Sequence, residues 1–224
     1  MTEDRSEPDD VVRRRARLVL ARLTRRYPEI GTALRYDSVW QLLVVTVLSA
    51  QTLDDTVNRV APELFARWPE PDDLAAANPE DVEAVVYSTG FYRRKAKSVI
   101  TLAQAIVEEH GGVVPKDLDV MTKLPGVGRK TASVVLAEAW NLPAIAVDTH
   151  VQRVSRRLGL TANTDAAKIE QDLKSLLPRH RWSGVSMRFI QFGREVCDAK
   201  RPRCWECPLR DVCPWPGKRP APTR

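Results

Sequence analysis

Residues 124–132 read LPGVGRKTA. Two glycines, Gly126 and Gly128, stand two positions apart, directly before a run whose apolar residues Ala132, Val135, Leu136 and Ala139 recur at helical spacing. Glycine lets a backbone turn sharply and approach another molecule closely. The N-terminus of the helix that follows presents unpaired N–H groups, which suit an anion such as phosphate. Taken alone, Pro125 and Gly126 would make no more than a turn between two helices.

A short helix expected at about 117–123 changes that estimate. Helix, tight turn and helix together have the form of a helix-hairpin-helix, which grips a DNA backbone without reading sequence. Outward from the turn, apolar residues keep helical spacing and no stretch alternates strictly, so the fold class reads as all-α. Helices are expected at about 11–27, 38–50, 53–67, 79–87, 92–110, 129–140, 149–158, 165–177 and 183–195. Residues 38–50, SVWQLLVVTVLSA, are apolar on most sides and predict a helix central to a core. In 11–27 the stripe Ala16, Val19, Leu20, Leu23 and Tyr27 leaves seven arginines for the other faces, where a solvated surface and a DNA contact fit equally well.

Lys130 lies two residues before the stripe of its helix and points away from it, toward solvent or a cleft. Spacing alone reads it as a surface lysine. Chemically, a lysine whose ammonium is destabilised by desolvation or by nearby cations attacks electrophilic carbon and forms a Schiff base. In AIAVDTH, residues 144–150, Asp148 precedes a helix with apolar Val151, Val154 and Leu158, where it suits an N-cap. The cap would fix a carboxylate able to accept a proton from an amine and to stabilise positive charge. His150 is a weaker candidate, and it reads more naturally as a structural hydrogen-bonding group.

Lys and Arg total 35 against 29 Asp and Glu, a net charge of +6, which makes a polyanionic partner plausible. The start, MTEDRSEPDD, is acidic without an apolar core, and the longest apolar run, Leu42 to Val45, is far too short to span a bilayer. The expectation is a monomer in the cytoplasm, associated with the nucleoid and not with a membrane.

Four cysteines follow C-x6-C-x2-C-x5-C, from Cys197 through Cys204 and Cys207 to Cys213. In a reducing compartment such clustering favours a metal centre over disulfides. Four thiolates can wrap zinc or an iron–sulfur cluster. Only Cys204 and Cys207 form a close pair, which favours iron–sulfur; a centre held by four protein ligands would be structural. Lys200, Arg201, Arg203 and Arg210 surround the ligands and could reach phosphates.

LSAQTLD at 48–54, GFYRRKA at 90–96, LPGVGRKTA at 124–132, VDTHVQRV at 147–154 and the cysteine loop together resemble the endonuclease III family of bifunctional DNA glycosylases, over roughly residues 12–214. The resemblance implies a helix-hairpin-helix glycosylase fold: a six-helix barrel at 32–142, and an iron–sulfur domain built from 11–31 and 143–214, with DNA in the groove between. Residues 1–10 and 215–224 are expected to be disordered. It implies a 4Fe-4S cluster on Cys197, Cys204, Cys207 and Cys213, and catalytic roles for Lys130 and Asp148. DNA contacts fall to Gln51, Phe91, Gly126, Val127, Gly128, Arg129 and His150. Gln51 would fill the space of the flipped nucleotide, and Phe91, where the family commonly has Leu, would wedge into the opposing strand.

The expected activity is removal of oxidised pyrimidines from double-stranded DNA, with cleavage at abasic sites through a lysine Schiff base and β-elimination. One rival is a monofunctional glycosylase of the same fold, whose adenine-removing branch replaces the lysine and has an acid at the Gln51 position. Another is a non-catalytic DNA-binding module with a zinc loop. A yellow-brown colour would tell the cluster from zinc.

Overall fold

The computed structural model describes residues 9–221, which form two compact units, one from residues 32–142 and one from the residues up to 31 together with those from 143 onward. All regular elements among the described residues are helical. The remainder of the two expected disordered ends, residues 1–8 and 222–224, lies outside the described residues. Asp9 and Asp10 are a correction to that expectation, because they form the first turn of helix α1 (Asp9–Arg26), where carboxylates complement the helix dipole.

The 32–142 unit comprises α2 (Val39–Leu48), α3 (Asp54–Arg67), α4 (Pro71–Ala75), α5 (Pro79–Val86), α6 (Tyr92–His110), α7 (Leu118–Met121) and α8 (Arg129–Trp140). That is seven helical segments where the resemblance implies six, the extra one being the five-residue α4. Eight of the ten residues of α2 are buried, as its unbroken apolar run predicts. Helix starts follow local chemistry. Ser38 caps α2 through Gln41 N–H at 3.2 Å, Asn78 caps α5 through Glu80 N–H at 2.9 Å, and Asp117 caps α7 through Asp119 and Val120.

The other unit packs α1 with α9 (Thr149–Arg157), α10 (Ala166–Leu176) and α11 (Val185–Glu195), followed by the cysteine loop. The α1 stripe Ala16, Val19, Leu20 and Leu23 is buried as expected. Three of its arginines bond residues from the later part of the chain, Arg15 from a buried position and Arg22 and Arg26 at the surface. Arg15, itself buried, donates to the Leu158 carbonyl, Arg22 pairs with Asp211, and Arg26 approaches Glu195 at 3.5 Å. Among the described residues no helix is long and apolar enough to cross a membrane.

Candidate functional site

The hairpin of the 32–142 unit runs from α7 into α8 with the two glycines doing different work. Gly126 sits at φ +74°, so its conformation calls for glycine, although a β-carbon there would meet only an ordinary contact of 3.4 Å to Ser98 Cβ. Gly128 has an ordinary φ of −83° and is the N-cap of α8, with no side chain to close the helix end. A β-carbon on it would meet no protein atom within 4 Å. Nothing inside the chain therefore asks for glycine at 128; what its bare surface admits is close approach from outside.

Val127, expected among the DNA contacts, anchors the turn through its side chain. Its side chain is buried with Leu124 in the core, and its N–H is already bonded to the Leu124 carbonyl at 3.1 Å. Arg129 and Lys130 are exposed in the first turn of α8, opposite the buried Ala132, Val135 and Leu136. Lys130 thus points away from the stripe as its spacing predicts, but its amine is not desolvated by the protein.

Gln51 and Phe91 share an uncommon backbone. They lie at φ +56° and +48°, and among the described residues Asn141 is the only other non-glycine residue with positive φ. Such conformations cost energy in side-chain-bearing residues and gather at functional segments. Both residues are exposed. Their loops are bonded together, Thr52 Oγ1 donating to the Thr89 carbonyl at 2.6 Å. Beside them stand Leu53, Tyr87 and Phe91 with exposures of 77%, 66% and 68%, an apolar display that suits insertion between bases. Leu53 and Tyr87 escape a sequence reading, because both fall at positions that a helix pattern would equally allow to be buried.

In the second unit, Asp148 is the half-buried N-cap of α9, its Oδ1 accepting Val151 N–H at 2.8 Å. The segment before it is fixed by the Ala146 N–H bond to Ser186 Oγ at 2.8 Å. His150 is held by a hydrogen bond within its own unit. Its Nδ1 accepts from Arg153 at 3.0 Å, and the ring lies against Gly193.

All four cysteines line one cavity, together with Arg157, Trp215 and Lys218. Among the described residues no group of three or more His, Cys, Asp or Glu side chains is arranged to hold a metal ion. Four cysteines around one cavity are a ligand set that suits an iron–sulfur centre. Burial pushes the Cys207 thiol up to about 11 and raises Cys213 as well, with the neighbouring cysteines adding to both shifts. Iron would supply the positive charge that such a set needs in order to ionise. Arg157 Nη1 lies 3.5 Å from Cys197 Sγ, and Leu209 N–H lies 3.4 Å from Cys207 Sγ, so N–H donors already face the sulfurs. Arg203 bonds the Glu195 carbonyl at the end of α11 and Arg210 the Cys204 carbonyl of its own loop, while Lys200 and Arg201 remain exposed.

The family model described as "HhH-GPD superfamily base excision DNA repair protein" matches residues 44–179, and "Iron-sulfur binding domain of endonuclease III" matches 197–213. Endonuclease III of Synechocystis sp. (strain PCC 6803) is 46% identical over 203 residues, covering 90% of this chain and 93% of that protein. Endonuclease III of Bacillus subtilis is 45% identical over 188 residues, covering 84% of this chain and 86% of that protein. A solved structure of a trapped endonuclease III–DNA covalent intermediate superposes with a TM-score of 0.86 at 39% identity, covering 90% of this chain and 95% of that chain. A thermostable thymine-DNA glycosylase, 18% identical with a TM-score of 0.82, shares the fold over 90% of this chain and 96% of that one. With the hairpin, the cysteine cavity and these matches in agreement, the chain belongs to the HhH-GPD superfamily of base-excision DNA repair proteins and, within it, to the endonuclease III family.

Proposed function

We propose that this chain releases oxidised pyrimidines from double-stranded DNA and cuts the strand at the resulting abasic site, with Lys130 as nucleophile and Asp148 as its acid–base partner. Membership of the endonuclease III family makes it a base-excision DNA glycosylase with lyase activity that acts on DNA and binds an iron–sulfur cluster. The residue assignment, the oxidised-pyrimidine substrates and the 4Fe-4S form of the cluster are this proposal's own. So are action as a monomer and a place in the cytoplasm at the nucleoid. The observation that carries it is the position of Lys130, exposed in the first turn of the helix that leaves the open Gly128 hairpin. A hairpin that grips phosphate brings that amine to a sugar.

The chemistry needs a neutral amine, and a carboxylate such as Asp148 serves as proton acceptor. The Lys130 Nζ–C1′ bond forms as the bond from C1′ to the damaged base breaks, and the base leaves with a proton. The sugar ring opens to an iminium. Loss of a C2′ proton then expels the 3′ phosphate oxygen. Because C1′ is shielded in a stacked duplex, the nucleotide must first be everted. Gln51 fills the space it leaves, and Phe91 wedges into the opposing strand. Since the protein leaves Lys130 solvated, the bound DNA has to exclude water from it.

Borohydride reduction of a reaction on thymine glycol duplex tests the assignment. The wild-type chain is expected to form a covalent protein–DNA adduct and Lys130→Ala none; an adduct at the wild-type rate from Lys130→Ala would reject Lys130. Parallel duplexes with dihydrouracil, 8-oxoguanine or an abasic site, scored for release and cleavage separately, test the substrate class.

A further inference from the structure

Lys95, within the GFYRRKA run, is buried at 6% exposure in the first turn of α6. That is a costly place for an ammonium. It is removed from water, burial lowers its pKa, and the positive end of a helix dipole repels it. Its partners are neutral. Nζ donates to the Thr89 carbonyl at 2.9 Å and to Thr52 Oγ1. Thr52 Oγ1 in turn donates to that same Thr89 carbonyl, which closes a triangle of three bonds.

The two ends of this triangle are the loops that carry the left-handed residues. Thr52 follows Gln51, and Thr89 is separated from Phe91 only by Gly90. Thr89 is itself buried, its hydroxyl bonded to the Val86 carbonyl at 2.7 Å. A hydrophobic side chain in place of Lys95 would fill the same space at lower cost, but it could not join two loops whose sequence positions are nearly forty residues apart. We propose that Lys95 is a positioning residue whose ammonium locks the Gln51 loop to the Phe91 loop, so that both enter the duplex as one rigid unit. This rests on the reading of those loops as DNA-inserting.

The test compares the wild-type chain with Lys95→Met, which keeps the aliphatic stem and removes the donors, and with Thr52→Val, which removes the hydroxyl corner of the triangle should Lys95→Met fail to fold. Three readouts are taken: unstacking of a 2-aminopurine beside the lesion on binding, single-turnover base release from duplex, and nicking of a single-stranded abasic oligonucleotide, which needs no insertion. Unstacking and duplex release are expected to fall by about 10- to 100-fold, the scale set by small misplacement of a positioning group, with single-stranded nicking falling far less. Wild-type unstacking in the folded variants would overturn the proposal, as would an equal fall in all three readouts. If the wild-type chain neither releases nor nicks, the activity reading fails, and the unstacking comparison still decides the role of Lys95.

Discussion

The Oδ1 atom of Asp148 accepts the amide N–H of Val151 at 2.8 Å, so the carboxylate assigned to the chemistry is also the N-cap of α9. The two duties can be separated by substitution. Asn caps a helix about as well as Asp but carries no charge, whereas Ala does neither. Asp148→Asn is expected to leave the unfolding temperature nearly unchanged, and Asp148→Ala to lose about 1 kcal/mol, or about 2–4 °C for a chain of this size. Both should slow single-turnover base release by about 100-fold or more, the usual contribution of a positioned acid–base group. If Asp148→Asn releases base at the wild-type rate, the carboxylate is only a cap.

Gly126 and Gly128 should separate in the same manner. Gly126→Ala meets a left-handed φ of +74°, and should cost about 1–2 kcal/mol of stability. Gly128→Ala meets no such obstacle and should lower stability by no more than about 1 kcal/mol. Its added methyl points where an external backbone must come close, so DNA affinity should fall about 10-fold, the worth of a charge-assisted hydrogen bond. Chemical denaturation and fluorescence anisotropy on an abasic duplex measure the two effects. A large stability loss at 128 with unchanged affinity would remove the hairpin from the interface.

What the sequence makes legible here is local chemistry. The hairpin glycines, the Asp148 cap and the apolar stripes of α1 and α8 each depend on neighbours within a turn or two, and the structure places them as their spacing predicts. Helix α4 is too short for a period to register, although Pro71 at its start and the reciprocal Glu70 and Asp73 cap are local signals. Contacts across long sequence separations are not legible. Nothing in GFYRRKA announces that Lys95 reaches Thr52, or in the α1 arginines that Arg15 and Arg22 are spent on Leu158 and Asp211. The solvation of Lys130 is likewise a property of the packed surface and not of its helical phase.

Acid should loosen the unit that joins the two chain ends. Glu195 accepts the Tyr27 hydroxyl at 2.7 Å and lies near Arg26, and the Tyr27 bond, with Gln191 and Arg26 helping, holds its carboxyl below the usual value of 4.5. A carboxylate depressed in the folded state adds stability that is present above about pH 4.5 and is lost as the pH falls through the folded value. The unfolding temperature should therefore drop below about pH 4.5, and Glu195→Gln should flatten that drop in part. Asp198 and Asp211, also depressed, retain their share of it. Thermal scans from pH 3 to 7 give the comparison; parallel curves for the two proteins would exclude Glu195 as a source.

The tail residue Trp215 is expected to guard the cluster. Sequence composition assigns residues 215–224 to disorder, yet the Trp215 ring lies 4.2 Å from the Arg157 guanidinium carbon and lines the cysteine cavity. Arg157 is fixed by carbonyls of Cys197, Asp198 and Ala199 while its Nη1 faces Cys197 Sγ. Stacking of an aromatic ring on a partly desolvated guanidinium contributes about 0.5–2 kcal/mol. Removing the ring takes away one wall of the cysteine cavity and opens the sulfurs to water and oxidants, and the stability of iron–sulfur centres depends on such shielding. Trp215→Ala should therefore bleach several-fold faster in air, followed by loss of the cluster's visible absorbance and by iron release. Trp215→Phe, which keeps an aromatic face, should restore most of the lifetime. Equal decay in all three proteins would show that the ring only rests on the surface.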